Sequence, residues 1–167
     1  MKRNKVKILI TGHSGFVGSW LYYTLKKKQI NVYGISLKPE KKSNLFYKLK
    51  IYKDKNSKIL NILNYKSLNN HVKKIKPEIL IHLAAESLVI KSMLNPNLAY
   101  NTNINGTLNI LNLIKDYKFI KTGIFFTTDK VYENKNNNKK FIENDPLGGD
   151  DPYSASKACS EIITDCY

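Results

Sequence analysis

KILITGHSGFVG, Lys7 to Gly18, decides the fold of this chain. Val6 to Thr11 is a nearly continuous apolar run, the mark of a strand buried on both faces. Glycines follow at positions 12, 15 and 18, and a helical pattern then runs through Leu21 and Leu25 to a group of lysines. Gly12 permits a tight turn, Gly15 lets the backbone approach a pyrophosphate, and Gly18 lets helix and strand pack closely. Phe16 and Val17 open the helix, whose first N–H groups and partial positive charge suit phosphate oxygens. Three glycines alone are a weak signal; strand, loop and helix together make a strong one.

Outward from this stretch, Asn31 to Leu37 (NVYGISL) reads as a second strand, which completes a βαβ unit. A Lys-rich segment follows, with a short strand expected near Ile59 to Ile62. Lys66 to Lys76 reads as a helix stopped by Pro77, and Glu78 to Leu83 (EILIHL) as another buried strand. Apolar residues at helical spacing (Leu98, Ile104, Leu108, Leu111, Ile114) predict one helix from Asn97 to Tyr117. Gly123 to Thr127 is the next strand, and Pro152 to Tyr167 starts a last helix. Strands alternating with helices predict an α/β fold, a doubly wound parallel sheet with right-handed crossovers. Asn134 to Lys140 (NKNNNKK) is of low complexity and is expected as a surface excursion. No repeat and no dividing linker is visible, so residues 1–167 are expected to form one nucleotide-binding domain.

Composition narrows the function classes. Apolar residues make up 42% and charged residues 25% of the 167, ordinary for a globular domain with a core. The basic, then apolar N-terminus is too short in its apolar part for a signal peptide, and no run is long enough to span a membrane. A cytoplasmic protein is expected. The net charge of +15 is spread over small lysine groups with no nucleic-acid-reading motif, so it reads as a solvated surface that attracts phosphorylated ligands. Cys159 and Cys166 are too few for a disulfide framework or a metal site, and no metal is expected.

The second chemical signal is PYSASK, which sets Tyr153 and Lys157 at i and i+4 near a helix start, hence on one face. A tyrosine with a reference pKa near 10 is a poor base at neutral pH. A neighbouring ammonium favours its phenolate. Thr127 and Thr128 lie at a strand end upstream. In HLAAES, His82 reads as a packed strand-end histidine.

The spacing of Gly12, Gly15 and Gly18, with Tyr153 and Lys157, resembles the extended short-chain dehydrogenase/reductases, whose fold is of the Rossmann type. That resemblance implies a nicotinamide dinucleotide. After the second strand the chain reads SLKPEKK, with Lys38 where an acid usually holds the ribose; Ser36 and Glu40 are the nearby candidates, and NAD is expected on family grounds. The resemblance also implies that Asn61 and Ile62 meet the adenine, and that Leu83, Ala84 and Ala85 pass beneath the nicotinamide half. Asn103, with Gly106 and Thr107 in NINGTLNIL, resembles the Asn-x-x-Gly-Thr helix of the superfamily, where the Asn is structural and supports catalysis.

Within that branch, TTDKVYEN, GHSGFVGSWL, AAESLVIKSMLNPNLAYNTNINGT and ENDPLGGDDPYSASKACSE resemble the CDP-glucose 4,6-dehydratases. An epimerase needs only Thr128, Tyr153 and Lys157. A dehydratase also needs a base near C5 and an acid near O6 of the sugar. Lys130, at a position that is generally Glu in the dTDP- and GDP-sugar enzymes, is the expected base, and Asp129 the acid. A lysine acting as a base must be neutral, which requires burial or positive neighbours. The resemblance further implies a CDP-glucose substrate, a homodimer built through residues 97–117 and 152 onward, and a longer chain. The part after residue 167 would supply the last strands and the substrate-binding region.

Overall fold

The computed structural model describes residues 6–41, 43–134 and 140–167. The NKNNNKK excursion lies largely outside the described residues. In chain order the elements are β1 (Lys7–Thr11), α1 (Phe16–Lys27), β2 (Asn31–Ser36), α2 (Leu45–Lys48), a 3-10 turn (Ile51–Lys53) and β3 (Ser57–Ile59). There follow α3 (Tyr65–Ile75), β4 (Ile79–His82), α4 (Val89–Leu94), α5 (Pro96–Tyr100), a π-helical turn (Asn101–Asn105) and α6 (Gly106–Asp116). The last are β5 (Thr122–Phe125), a second 3-10 turn (Asp129–Val131) and α7 (Pro152–Asp165). No helix among the described residues is long and apolar enough to cross a membrane.

The chain gathers into two compact units. The first takes in the residues up to Ala84 with Asn112–Phe126, and the second Ala85–Leu111 with Thr127–Tyr167.

In the first unit all five strands are parallel, in the order β3-β2-β1-β4-β5. That is the Rossmann arrangement, and the order reverses between β1 and β4. β1 is central because its side chains can be buried on both faces. Ile8 and Ile10 pack with Tyr22 of α1, Val32, Phe46, Ile51 and Ile81, while Leu9, on the opposite face by the two-residue period, is also fully buried. Each such side chain contributes roughly 1.5–3 kcal/mol by leaving water. The two edge strands are less covered: Ile59 of β3 is 55% and Ile124 of β5 43% exposed. α3 starts at Asn64, whose side chain accepts from the Ser67 N–H, and ends at Lys76 in the left-handed region just before Pro77.

Beyond one-residue shifts at element ends, and α2, the first 3-10 turn and α4, which the pattern does not predict, the structure differs from the sequence expectation in three places. The third strand is Ser57–Ile59 and not Ile59–Ile62, because Asn61 Oδ1 accepts from the Leu63 N–H and turns the chain there. The strand before Thr127 stops at Phe125. The helix expected over 97–117 is present: it is started by Asn95 and Pro96, and α5 runs on into α6 through a π-helical turn without leaving helical backbone. Hydrophobic period carries no signal for the inserted residue of such a turn.

The second unit is helical. Asp151 caps α7, accepting from the Ser154 N–H (3.0 Å) and hydroxyl (2.6 Å), and Pro152 occupies its first turn. Glu133 N–H donates to Pro146 O and Gly148 N–H to Val131 O, which closes the base of the loop between them.

Candidate functional site

The glycine loop lies at the carboxyl end of the first unit's sheet, where ligands of such sheets bind. Gly12 has φ 75°, and a Cβ there would lie 2.7 Å from the backbone of Leu83 and Ala84. A Cβ on Gly18 would run into the Gly12 carbonyl, so α1 is pressed directly on the turn. Gly15 is exposed, and a Cβ there would meet the Gly12 carbonyl oxygen at 3.3 Å, a tight contact. α1 begins there with no side-chain cap and no acidic residue in its first turn. Phe16 and Val17 are exposed beside it. The free N–H groups of a helix start, beside an exposed glycine, fit a pyrophosphate.

His13, which sequence reasoning passed over, holds this loop from below. It is fully buried, with Nε2 2.7 Å from Ser57 Oγ and its ring 5.4 Å from those of Tyr22 and Phe46. A Cβ on Gly34 would strike the imidazole. Burial pushes His13 down to about 4, so it is neutral near pH 7. The only sequence signal was a polar residue inside the glycine motif.

The other residues of this unit expected at the cofactor fall at strand ends. Thr11 Oγ1 accepts from the Ala84 N–H (3.2 Å) and lies 2.7 Å from His82 Nδ1, while Leu83 N–H donates to Thr11 O. His82 is buried against Phe125, the packed strand-end residue expected. Ser36 ends β2 with its hydroxyl buried and without a partner among the described residues. Asn61 and Ile62 stand just beyond β3, with Asn61 exposed and Ile62 buried. Lys38 and Glu40 are exposed.

In the second unit the 3-10 turn packs on α7, which brings Thr128, Asp129 and Lys130 to the helix that carries Tyr153 and Lys157. Thr128 Oγ1 donates to Asp129 Oδ1 (3.1 Å) and accepts from the Lys130 N–H (3.3 Å). Asp129 and Lys130 are exposed. The start of α7 is tied down twice: the Tyr153 N–H donates to Ser92 Oγ (3.1 Å), and Asp151 forms the cap. Partial burial works against the Asp151 carboxylate, but hydrogen bonds from Ser154 and Tyr153 and the Lys130 charge hold it below its ordinary range.

Lys157 is only 6% exposed. Burial pulls it down to about 8, opposed by the charge of Glu161 one turn later. Glu161, also missed from sequence, accepts a hydrogen bond from Thr127 Oγ1. Its signal was present as a second i,i+4 step from Lys157.

Asn103 sits in the π-helical turn, 1% exposed, with its amide committed. Oδ1 accepts from the Glu86 N–H (2.8 Å), and Nδ2 donates to Glu86 O (3.1 Å) and Ser156 Oγ (2.8 Å). It thereby ties the segment containing Ala85 to α7.

The description "GDP-mannose 4,6 dehydratase" belongs to the family model that matches residues 9–167. The CDP-glucose 4,6-dehydratase of Salmonella typhimurium is 36% identical over 161 residues, covering 96% of this chain and 45% of that protein. A dTDP-D-glucose 4,6-dehydratase of Dictyostelium discoideum is 38% identical, covering 96% of this chain and 40% of that protein. The dTDP-glucose 4,6-dehydratase of Bacillus anthracis, solved in complex with NAD, superposes with a TM-score of 0.75 at 29% identity, over 95% of this chain and 49% of that one. The chain thus spans about half the length of the relatives it matches.

Proposed function

The chain belongs to the GDP-mannose 4,6 dehydratase family, and from that premise we propose that it is the NAD-binding half of a nucleotide-sugar 4,6-dehydratase acting on CDP-glucose. The observation that carries this reading is that the Thr128–Asp129–Lys130 turn packs on α7, the helix that bears Tyr153 and Lys157. An oxidation at a sugar carbon needs only Tyr153, Lys157 and Thr128; an elimination needs two more proton-handling residues. The Lys at position 130 and the likeness to the Salmonella typhimurium enzyme favour the CDP sugar.

Gly12, Gly15 and Gly18, with the N–H groups of Phe16 and Val17, would hold the pyrophosphate of NAD; Ser36, Asn61, Ile62, Leu83, Ala84, Ala85 and Asn103 complete its proposed surroundings. When bound, NAD supplies the hydride acceptor for the oxidation and returns the hydride at the end. Tyr153 takes the proton of the C4 hydroxyl, and the Lys157 ammonium one turn away stabilises the negative charge on the phenol oxygen. Thr128 donates to the oxygen that becomes the C4 ketone. The ketone makes the C5 proton acidic; Lys130 removes it while Asp129 protonates the C6 hydroxyl, which leaves as water. With the hydride restored at C6 and the proton held by Lys130 returned to C5, the product would be CDP-4-keto-6-deoxyglucose. Lys130 is exposed in the free chain, so a bound sugar must desolvate it before it can act as the base.

The free thiols Cys159 and Cys166 suit a reducing, cytoplasmic setting. Exposed Leu98 on α5 and Ile162 on α7 are candidates for the contact between two copies.

Incubating the chain with NAD and CDP-glucose, dTDP-glucose or GDP-mannose, and following the 4-keto product, tests the reading. Product from CDP-glucose above the other two is expected. NAD binding without product from any of them would make the chain a cofactor-binding module without turnover.

A further inference from the structure

Glu161 has no place in the reaction proposed above, yet two elements of the second unit meet at its carboxylate. It stands one turn after Lys157 on α7. It accepts a hydrogen bond from Thr127 Oγ1, immediately before the turn that bears Thr128, Asp129 and Lys130. It is also the anion that acts on Lys157 against burial.

We propose that Glu161 is a positioning residue: its charge keeps the buried Lys157 protonated, and its hydrogen bond with Thr127 seats the Thr128–Lys130 turn on α7. This rests on reading Tyr153 and Lys157 as the oxidation pair.

The physical need follows from burial. A lysine only 6% exposed tends toward the neutral amine, which could no longer stabilise a phenolate. A Lys followed by Glu at i+4 is the weaker order for a helical ion pair, so the pair needs help in holding its geometry. Thr127 supplies it: a hydroxyl donor on one carboxylate oxygen restrains the rotamer of Glu161. Other titratable groups on α7 and on the elements packed against it are Tyr153, Cys159 and Asp165 on α7, Asp129 and Lys130 on the turn, Lys91 on α4 and Tyr100 on α5. Glu161 combines the right sign, the right spacing and a fixed orientation.

Charge and anchor can be separated. Glu161→Gln keeps an oxygen that can accept from Thr127 but removes the charge; Thr127→Val removes the anchor and keeps the charge. The readout is the titration of the Lys157 side chain by NMR on the chain labelled with 13C at lysine Cε, its signal assigned by its loss in Lys157→Arg. In Glu161→Gln the Lys157 midpoint is expected to fall from about 8 by about one pH unit or more. Thr127→Val is expected to lower it by less, and Glu161→Asp to keep it near the original value. An unchanged midpoint in Glu161→Gln, or a drop in Glu161→Asp as large as in Glu161→Gln, would overturn the proposal. If Glu161→Gln does not fold, Glu161→Asp and Thr127→Val still decide: a midpoint unmoved by Thr127→Val, or collapsed in Glu161→Asp, sinks it. The titration needs no turnover, so failure to form a 4-keto product counts against the proposed function and leaves this measurement standing.

Discussion

His13 in the glycine loop and Lys157 on α7 are both buried basic side chains, and burial shifts both toward the neutral form. For His13 that outcome is harmless. A neutral imidazole packs between Tyr22 and Phe46, hydrogen-bonds Ser57, and leaves the proposed phosphate contacts to backbone N–H groups. For Lys157 it opposes the proposed role, which needs the charged form. The first unit would therefore bind with backbone set on a buried neutral side chain, whereas the second would do chemistry with a side chain that burial strains and a partner, Glu161, that offsets the strain. The proposed binding and catalytic regions thus stand on opposite sides of the same desolvation effect.

The largest expected effect tests the backbone half. Gly18→Val places atoms into the Gly12 carbonyl and should destabilise the chain by roughly 4 kcal/mol in urea unfolding. NAD affinity should fall at least about tenfold by calorimetry, a loss of about 1.4 kcal/mol. A well-folded, NAD-binding Gly18→Val chain would break the picture of a pressed loop.

Second comes acid. The folded pKa of His13 lies below its unfolded value, so the unfolded chain binds more protons between pH 6.5 and about 4. Its contribution is fully present above pH 6.5 and is lost as pH falls toward 4, by up to about 3 kcal/mol. Urea midpoints across that range should show a steeper fall for the original chain than for His13→Gln. Equal slopes would mean that His13 titrates normally.

Lys157 gives the opposite side of the comparison. Its folded pKa is also lowered, so stability rises as pH climbs from about 8 toward 10.5. Lys157→Met should raise stability near pH 7 by about 2 kcal/mol while abolishing formation of the 4-keto product. The gain should disappear above pH 10.5. A destabilised Lys157→Met would show that Lys157 packs at no electrostatic cost.

The smallest effect is the cap. Asp151→Ala removes the acceptor for Ser154 at the start of α7 and should cost about 1 kcal/mol. The lowered carboxyl pKa predicts that this contribution is present above pH 3.8 and fades as pH falls below it. Thermal unfolding of the variant at neutral and acid pH measures both.

Much of this was legible in the residues. The apolar run of β1, the three glycines and the alternation of strands with helices specify a parallel sheet, because each is a short-range pattern tied to one backbone geometry. Tyr153 and Lys157 could be paired from their spacing alone, since residues four apart share a helix face. The π-helical turn inside the 97–117 helix was invisible, because apolar periodicity cannot register a local i+5 turn. Nor did Asn61 and Ile62 lie in a strand, since the Asn61 side chain redirects the backbone.

What the sequence by itself determined is the order of elements, the nucleotide-type loop and the helix face that bears Tyr153 and Lys157. Only the tertiary structure decided how deeply Lys157 is buried, what lies beneath the glycine loop and which carboxylate answers the buried charge. The contacts concerned join His13 to Ser57, 44 residues apart, and Thr127 to Glu161, 34 apart. Desolvation depends on every atom packed around a group, and no spacing along the chain records that.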